Sequence, residues 1–149
     1  MNRRAFAPAA TVTLLLGLPA GAARDGVAYF TGDQTRAAFA KGQPLAETEK
    51  YKIHASRRDA PGQAEVHERD TDIIYVLDGT ATVVTGGTAT GATAVADAEL
   101  RGPSIDRGTP RTLSKGDVLV VPHGTPHQFT RVQGPFLYYV VKVTTAPGA

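Results

Sequence analysis

Apolar and polar residues alternate along much of this chain, in short runs that end at glycine, proline or aspartate. In extended backbone, side chains two residues apart share a face, so such runs predict half-buried strands. Tyr51-Lys52-Ile53-His54-Ala55 is one, ended by a turn over Arg57 to Gly62. A turn at Asp70-Thr71 precedes Asp72 and the run Ile73-Ile74-Tyr75-Val76-Leu77. Asp78-Gly79 is a strong hairpin signal, because glycine adopts positive φ at little cost, and Thr80 to Thr85 would be the return strand. Gly116-Asp117 opens Val118 to Val121; Pro122, Gly124 and Pro126 form a rigid turn, and His127 starts the next strand. Phe136 to Val143 reads as a final strand. Ahead of these, Asp25 to Phe30 is an extended lead-in. Thr31-Gly32-Asp33 caps a short helix over Thr35 to Ala40, which closes near Gly42 and is broken by Gln43-Pro44-Leu45. The Thr-, Ala- and Gly-rich stretch from Gly86 to Gly108 is a long excursion with a short strand near Ala98 to Arg101. This pattern predicts a mostly β fold of about eight strands, enough for two sheets to close as a jelly roll.

Composition adds a limit on size and a processing signal. A chain of 149 residues holds one core, and 16 glycines with 10 prolines favour strands and turns over long helices. Residues 1–22 have the layout of a secretory signal: Met1-Asn2-Arg3-Arg4, an apolar stretch from Ala5 to Pro19, then a small-x-small pattern at Ala20-Gly21-Ala22. Arg3-Arg4-Ala5-Phe6 fits a twin-arginine export motif, although a Sec signal or an uncleaved anchor has the same layout. The expectation is an exported, periplasmic or extracellular protein with no stable membrane association after cleavage. Residues 23–49 would then be an extension carrying the short helix, and 50–145 the β domain. Loss of Arg3 and Arg4 reduces 16 basic residues to 14, equal to the 14 acidic ones. The basic pI of the whole chain therefore gives no warrant for nucleic-acid binding. The chain has no cysteine, which excludes a lipoprotein anchor and leaves stability to the core alone.

The candidate chemistry lies in two segments. The first is Glu65-Val66-His67, four residues, Asp72, six residues, Gly79; the second is Gly116, five residues, Pro122-His123-Gly124, two residues, His127. Glu65 and His67 project side by side from one strand, and Asp72 can join them from the next. His127 would arrive from a distant strand, as the interior of a barrel allows. Two imidazoles and two carboxylates suit a divalent transition metal, with iron, manganese, zinc and nickel all open.

The paired motifs resemble the signature of the cupin superfamily, over roughly Lys50 to Val143. The resemblance implies a single-domain jelly-roll β-barrel, the double-stranded β-helix, with a metal held by Glu65, His67, Asp72 and His127. Four positions depart from the family pattern. Glu65 stands where a histidine is usual, Asp72 replaces a glutamate, Asp59 falls where the first glycine would, and Arg131 falls where an asparagine closes the second motif. Asp72, one methylene shorter, can alternatively withdraw and hydrogen-bond a ligand. Family resemblance further implies a small-molecule ligand or substrate and a homodimer.

Two further residues are candidates for the chemistry. Arg131 lies four positions after His127 and, by alternation, on its face, where it would anchor an anionic group. His54 would be an acid or base from a neighbouring strand, although its alternation partners Lys52 and Ser56 are polar and point to a solvent face. His123 sits in the turn, at the mouth, and Phe129 is core or pocket wall. Two functions stay open: a metal-dependent exported enzyme on a small organic molecule, dioxygenase-like by its ligand set, or a non-enzymatic barrel that stores, senses or scavenges a metal or small ligand.

Overall fold

The computed structural model describes residues 26–145, and the signal-peptide expectation over 1–22 lies outside them. Helix α1 (Gly32–Lys41) is followed by strands β1 (Gln43–Glu47), β2 (Tyr51–Arg58), β3 (Ala64–His67) and β4 (Asp70–Thr85). Four short strands come next: β5 (Thr88–Thr90), β6 (Thr93–Ala96), β7 (Glu99–Gly102) and β8 (Ser104–Asp106). They lead to β9 (Thr109–Ser114), β10 (Val118–Val121) and β11 (His127–Thr144). The fold is mostly β, as expected, with eleven strands among the described residues rather than eight. β5 and β8 pair by themselves, and the remaining nine form one curled sheet.

Helix α1 begins and ends at the residues whose chemistry caps it. The Thr31 hydroxyl accepts from the Gln34 N–H at 3.3 Å, the Gln34 side chain accepts from the Thr31 N–H at 2.8 Å, and Gly42 closes the helix at φ 63°. The chain then turns directly into β1, which pairs antiparallel with β2. Gln43-Pro44-Leu45 thus ends the helix and starts the sheet. The helix packs on the outside of β2, where Ala38, Leu45 and Ala55 are buried and Phe39 meets Tyr139 edge-on.

The hairpin expected at Asp78-Gly79 does not form. β4 runs unbroken through Gly79, and both of its halves pair with the long strand β11. Gly79, at φ 80°, marks a bend opposite an irregularity between Gln133 and Leu137, and a Cβ there would lie 2.6 Å from the Pro135 carbonyl oxygen. Positive φ serves a strand bend as well as a hairpin, so the dipeptide alone cannot tell them apart. The preceding turn lies at Glu68-Arg69, two residues before the expected Asp70-Thr71, and the Gly86–Gly108 excursion holds β5 to β8.

The two long bent strands set the interior. Ile74, Val76, Ala81, Val83, Leu113, Phe129, Phe136, Tyr138 and Val140 form one buried apolar cluster. Continuing the same inward alternation, β4 reaches Asp72 and β11 reaches Lys142, so the barrel changes from apolar to polar along its axis.

Candidate metal centre

At the polar end, Glu65 and His67 come from β3, Asp72 from β4, and His127 and Lys142 from the two ends of β11. Strand pairing brings them together: His127 is in register with Glu65, and Lys142 with Asp72. His67, Asp72 and His127 are 8%, 4% and 4% exposed. Beside them opens a cavity of about 390 Å³, lined also by His54, Arg58, Arg101, Phe129 and Tyr138.

The donor atoms converge. Nε2 of His67 lies 3.7 Å from Glu65 Oε2 and 3.5 Å from Asp72 Oδ2; Nε2 of His127 lies 3.9 and 3.7 Å from the same two oxygens. An ion about 2.1 Å from each ligand atom bridges donors up to about 4.2 Å apart, and all four separations fall within that limit. Glu65, His67 and His127 each place one ligand atom within 4.8 Å of the others. The residues present therefore fit a divalent transition metal.

Second partners prepare the ligands. His127 Nδ1 lies 3.3 Å from the Thr125 carbonyl, which can only accept, so the proton sits on Nδ1 and leaves the Nε2 lone pair toward the site. Burial foremost, with Lys142 and His127 adding to it and Asp72 opposing, pushes the His67 imidazole below its ordinary pKa; it is neutral at pH 7. Burial works against ionisation of Glu65, but Arg58 first, then His127, Arg101 and His67, hold its carboxyl below the ordinary value. Glu65 is consequently a carboxylate at neutral pH.

Asp72 has a different partner. Both of its oxygens accept from the Lys142 ammonium, at 2.9 and 3.0 Å, and the same ammonium donates to His67 Nε2 at 2.7 Å. Sequence reasoning missed Lys142. Its signal was a single lysine in the apolar run Phe136 to Val143, on the inward face of Tyr138 and Val140.

Arg131 lies outside this group. A register shift between Phe129 and Arg131 makes Thr130 an extra residue, so the alternation from His127 reverses and Arg131 is exposed. Arg58 occupies the corresponding place at the cavity. It stacks 4.7 Å from the Phe129 ring centroid, donates through Nε to the Tyr138 hydroxyl at 3.0 Å, and approaches Glu65 at 3.4 Å. The sequence expectation puts Arg58 in a turn, but β2 continues to it, and His54, Ser56 and Arg58 all face inward. His54 lines the cavity, with Nε2 2.8 Å from Glu47 Oε1 of β1. His123 is exposed in the turn, and Phe129 belongs both to the core and to the cavity wall.

Comparisons to known proteins bear on the fold and the family. No curated protein matches the chain. Among solved structures, BH2720 from Bacillus halodurans superposes with a TM-score of 0.59 at 12% identity, over 85% of this chain and 88% of that one. An uncharacterised protein with a double-stranded β-helix domain from Klebsiella pneumoniae gives 0.51 at 16% identity, over 72% and 78%. KdgF from Halomonas sp. gives 0.50 at 23% identity, over 70% and 79%. At these identities the likeness speaks for the fold alone. The Cupin family profile matches residues 53–148, most of the chain, and with the jelly-roll sheet and its inward motifs it places this protein in the cupin family.

Proposed function

We propose that this cupin is an exported, metal-dependent enzyme acting on a small organic molecule, with dioxygenase-like oxidative chemistry. The observation that carries the reading is the convergence of Glu65, His67 and His127 beside an open cavity. Two imidazoles and one carboxylate form the ligand set suited to non-haem iron, while manganese, zinc or nickel would also bind such donors. With Asp72 engaged by Lys142, three protein ligands leave room for substrate. A metal held there supplies Lewis acidity and, if it is iron, dioxygen chemistry.

The remaining roles follow from position. Arg58, braced by Phe129 and Tyr138, meets an anionic group of the substrate, the role first given to Arg131. His54, on the same strand as Arg58 and held by Glu47, moves a proton from the cavity wall. Tyr138 stays a neutral phenol, since burial pushes its pKa up more than Arg58 lowers it. Export rests on Met1 to Ala22, and no helix among the described residues is long and apolar enough to cross a membrane. A homodimer is favoured by the exposed row Val118, Val120, Ile73 and Tyr75 on the outer faces of β10 and β4.

One observation favours a second reading. The Lys142 ammonium on His67 Nε2 lets the barrel hold itself together with no metal, as a non-catalytic binder of a small ligand rather than of a metal would. Elemental analysis of the purified mature protein, beside the His67→Ala/His127→Ala variant, tests the choice. Near-stoichiometric metal in the wild type and none in the variant is expected. No metal in either, after reconstitution, would overturn the enzyme reading in favour of the binder.

A further inference from the structure

Metal centres exclude fixed cations from their donor atoms, because a positive charge a few ångströms from a divalent ion opposes its binding. Here a fixed cation is built in. Lys142 lies on the inward row of β11, its side chain only 13% exposed, and donates to three acceptors: both Asp72 oxygens and His67 Nε2. An ammonium has three N–H donors, and these contacts use all of them. Two of the four converging side chains are thus already taken by a side chain of the protein itself.

The contacts differ in what a metal would do to them. His67 Nε2 offers one lone pair, so it can serve Lys142 or a metal but not both. Asp72 can keep its ammonium while His67 changes partner. Asp72 is also one methylene shorter than the glutamate usual at this place, which suits a carboxylate that meets a lysine across a register pair. We infer that Lys142 competes with the metal for His67 and removes Asp72 from the ligand set. It thereby determines how tightly the centre holds metal and how many protein ligands that metal has. This inference rests on the metal-binding reading above.

The test uses the metal-stripped mature protein, titrated with Zn(II) or Co(II) alone against a chromophoric chelator. Lys142→Met removes the charge, and Lys142→Gln removes it while keeping a polar contact to Asp72, should the methionine variant fold poorly. Expected is metal affinity at least about tenfold higher in either variant. The Co(II) visible spectrum should also change as Asp72 joins the coordination. Adding Asp72→Asn should remove the part of that gain and the spectral change that come from Asp72, while the part that comes from freeing His67 remains. Unchanged or weaker binding in both lysine variants, beside measurable wild-type binding, would overturn the inference and leave the metal reading standing. Absence of binding in every form would overturn that reading and this inference with it.

Discussion

His127 at the start of β11 pairs in register with Glu65 of β3, and its Nε2 lies 3.9 Å from the Glu65 carboxylate. Two strands far apart in sequence are thereby joined at the residues that would share a metal. A neutral amide at position 65 keeps the size of the side chain but loses the charge that offsets a dication. Glu65→Gln is expected to lower bound metal at least about tenfold while leaving the far-ultraviolet circular dichroism unchanged. Elemental analysis after dialysis decides the matter, and full metal occupancy in the variant would remove Glu65 from the ligand set.

Gly79 and Gly116 both have positive φ, at 80° and 92°, but their surroundings differ. A methyl group at Gly79 would meet the Pro135 carbonyl oxygen at 2.6 Å, whereas nothing lies within 4 Å at Gly116. Gly116→Ala should cost only the backbone strain, about 1–2 kcal/mol. Gly79→Ala adds a collision with the partner strand and should cost about 3 kcal/mol or more. Urea unfolding midpoints for the two variants give the comparison; equal losses would mean that the bend in β4 is not tightly packed.

That pair also shows what could be read from the chain and what could not. Helix α1 was legible because its capping residues act locally, and His67 and His127 because their spacing to glycine and proline is distinctive. Glu65 was legible from its alternation with His67. Gly79 was misread because its partner, Pro135, is brought to it only by the pairing of β4 with β11. Arg131 was misplaced for a related reason: one extra residue at Thr130 reverses the alternation, and a bulge leaves no composition signal. Lys142 was passed over because a lysine in an apolar strand reads as a solvent-facing residue until its partner Asp72 is known.

Asp70 ties the start of β4 to its neighbours. Burial alone would raise its pKa, but hydrogen bonds from Lys52 at 2.7 Å and Thr144 at 2.7 Å, with the Lys52 and Lys142 charges, hold it below the ordinary carboxylate value. Because the folded value lies below the unfolded one, this stabilisation is complete above the ordinary value of 3.8 and vanishes as pH falls through the lower, folded value. Lys52 is partly exposed and solvent screens the pair, so Asp70→Asn should cost about 1 kcal/mol at neutral pH. That loss should disappear in strong acid. Chemical unfolding at pH 7 and near pH 2 checks it, and a loss that persists at the lower pH would assign it to something other than the carboxylate charge.

Arg58 and Arg131 give the sharpest contrast between alternation and folded geometry. Arg58 is partly buried, lies over Phe129, donates to Tyr138 and leads the charges that offset the burial of Glu65. Arg131 is exposed beyond the bulge. Arg58→Met should therefore destabilise the protein by about 2 kcal/mol, from the lost hydrogen bond and the lost contact with the aromatic face. Arg131→Met should stay within about 0.5 kcal/mol of the wild type. The acid limb should separate them further. Without Arg58, the burial of Glu65 is less opposed and its folded carboxyl pKa rises toward the ordinary value of 4.5, so less stability is lost as pH falls below that value than in the wild type. Arg131→Met should leave that limb where it is. Thermal unfolding of both variants from pH 3 to pH 7 measures stability and limb together, and a shifted limb in Arg131→Met alone would return the site role to Arg131.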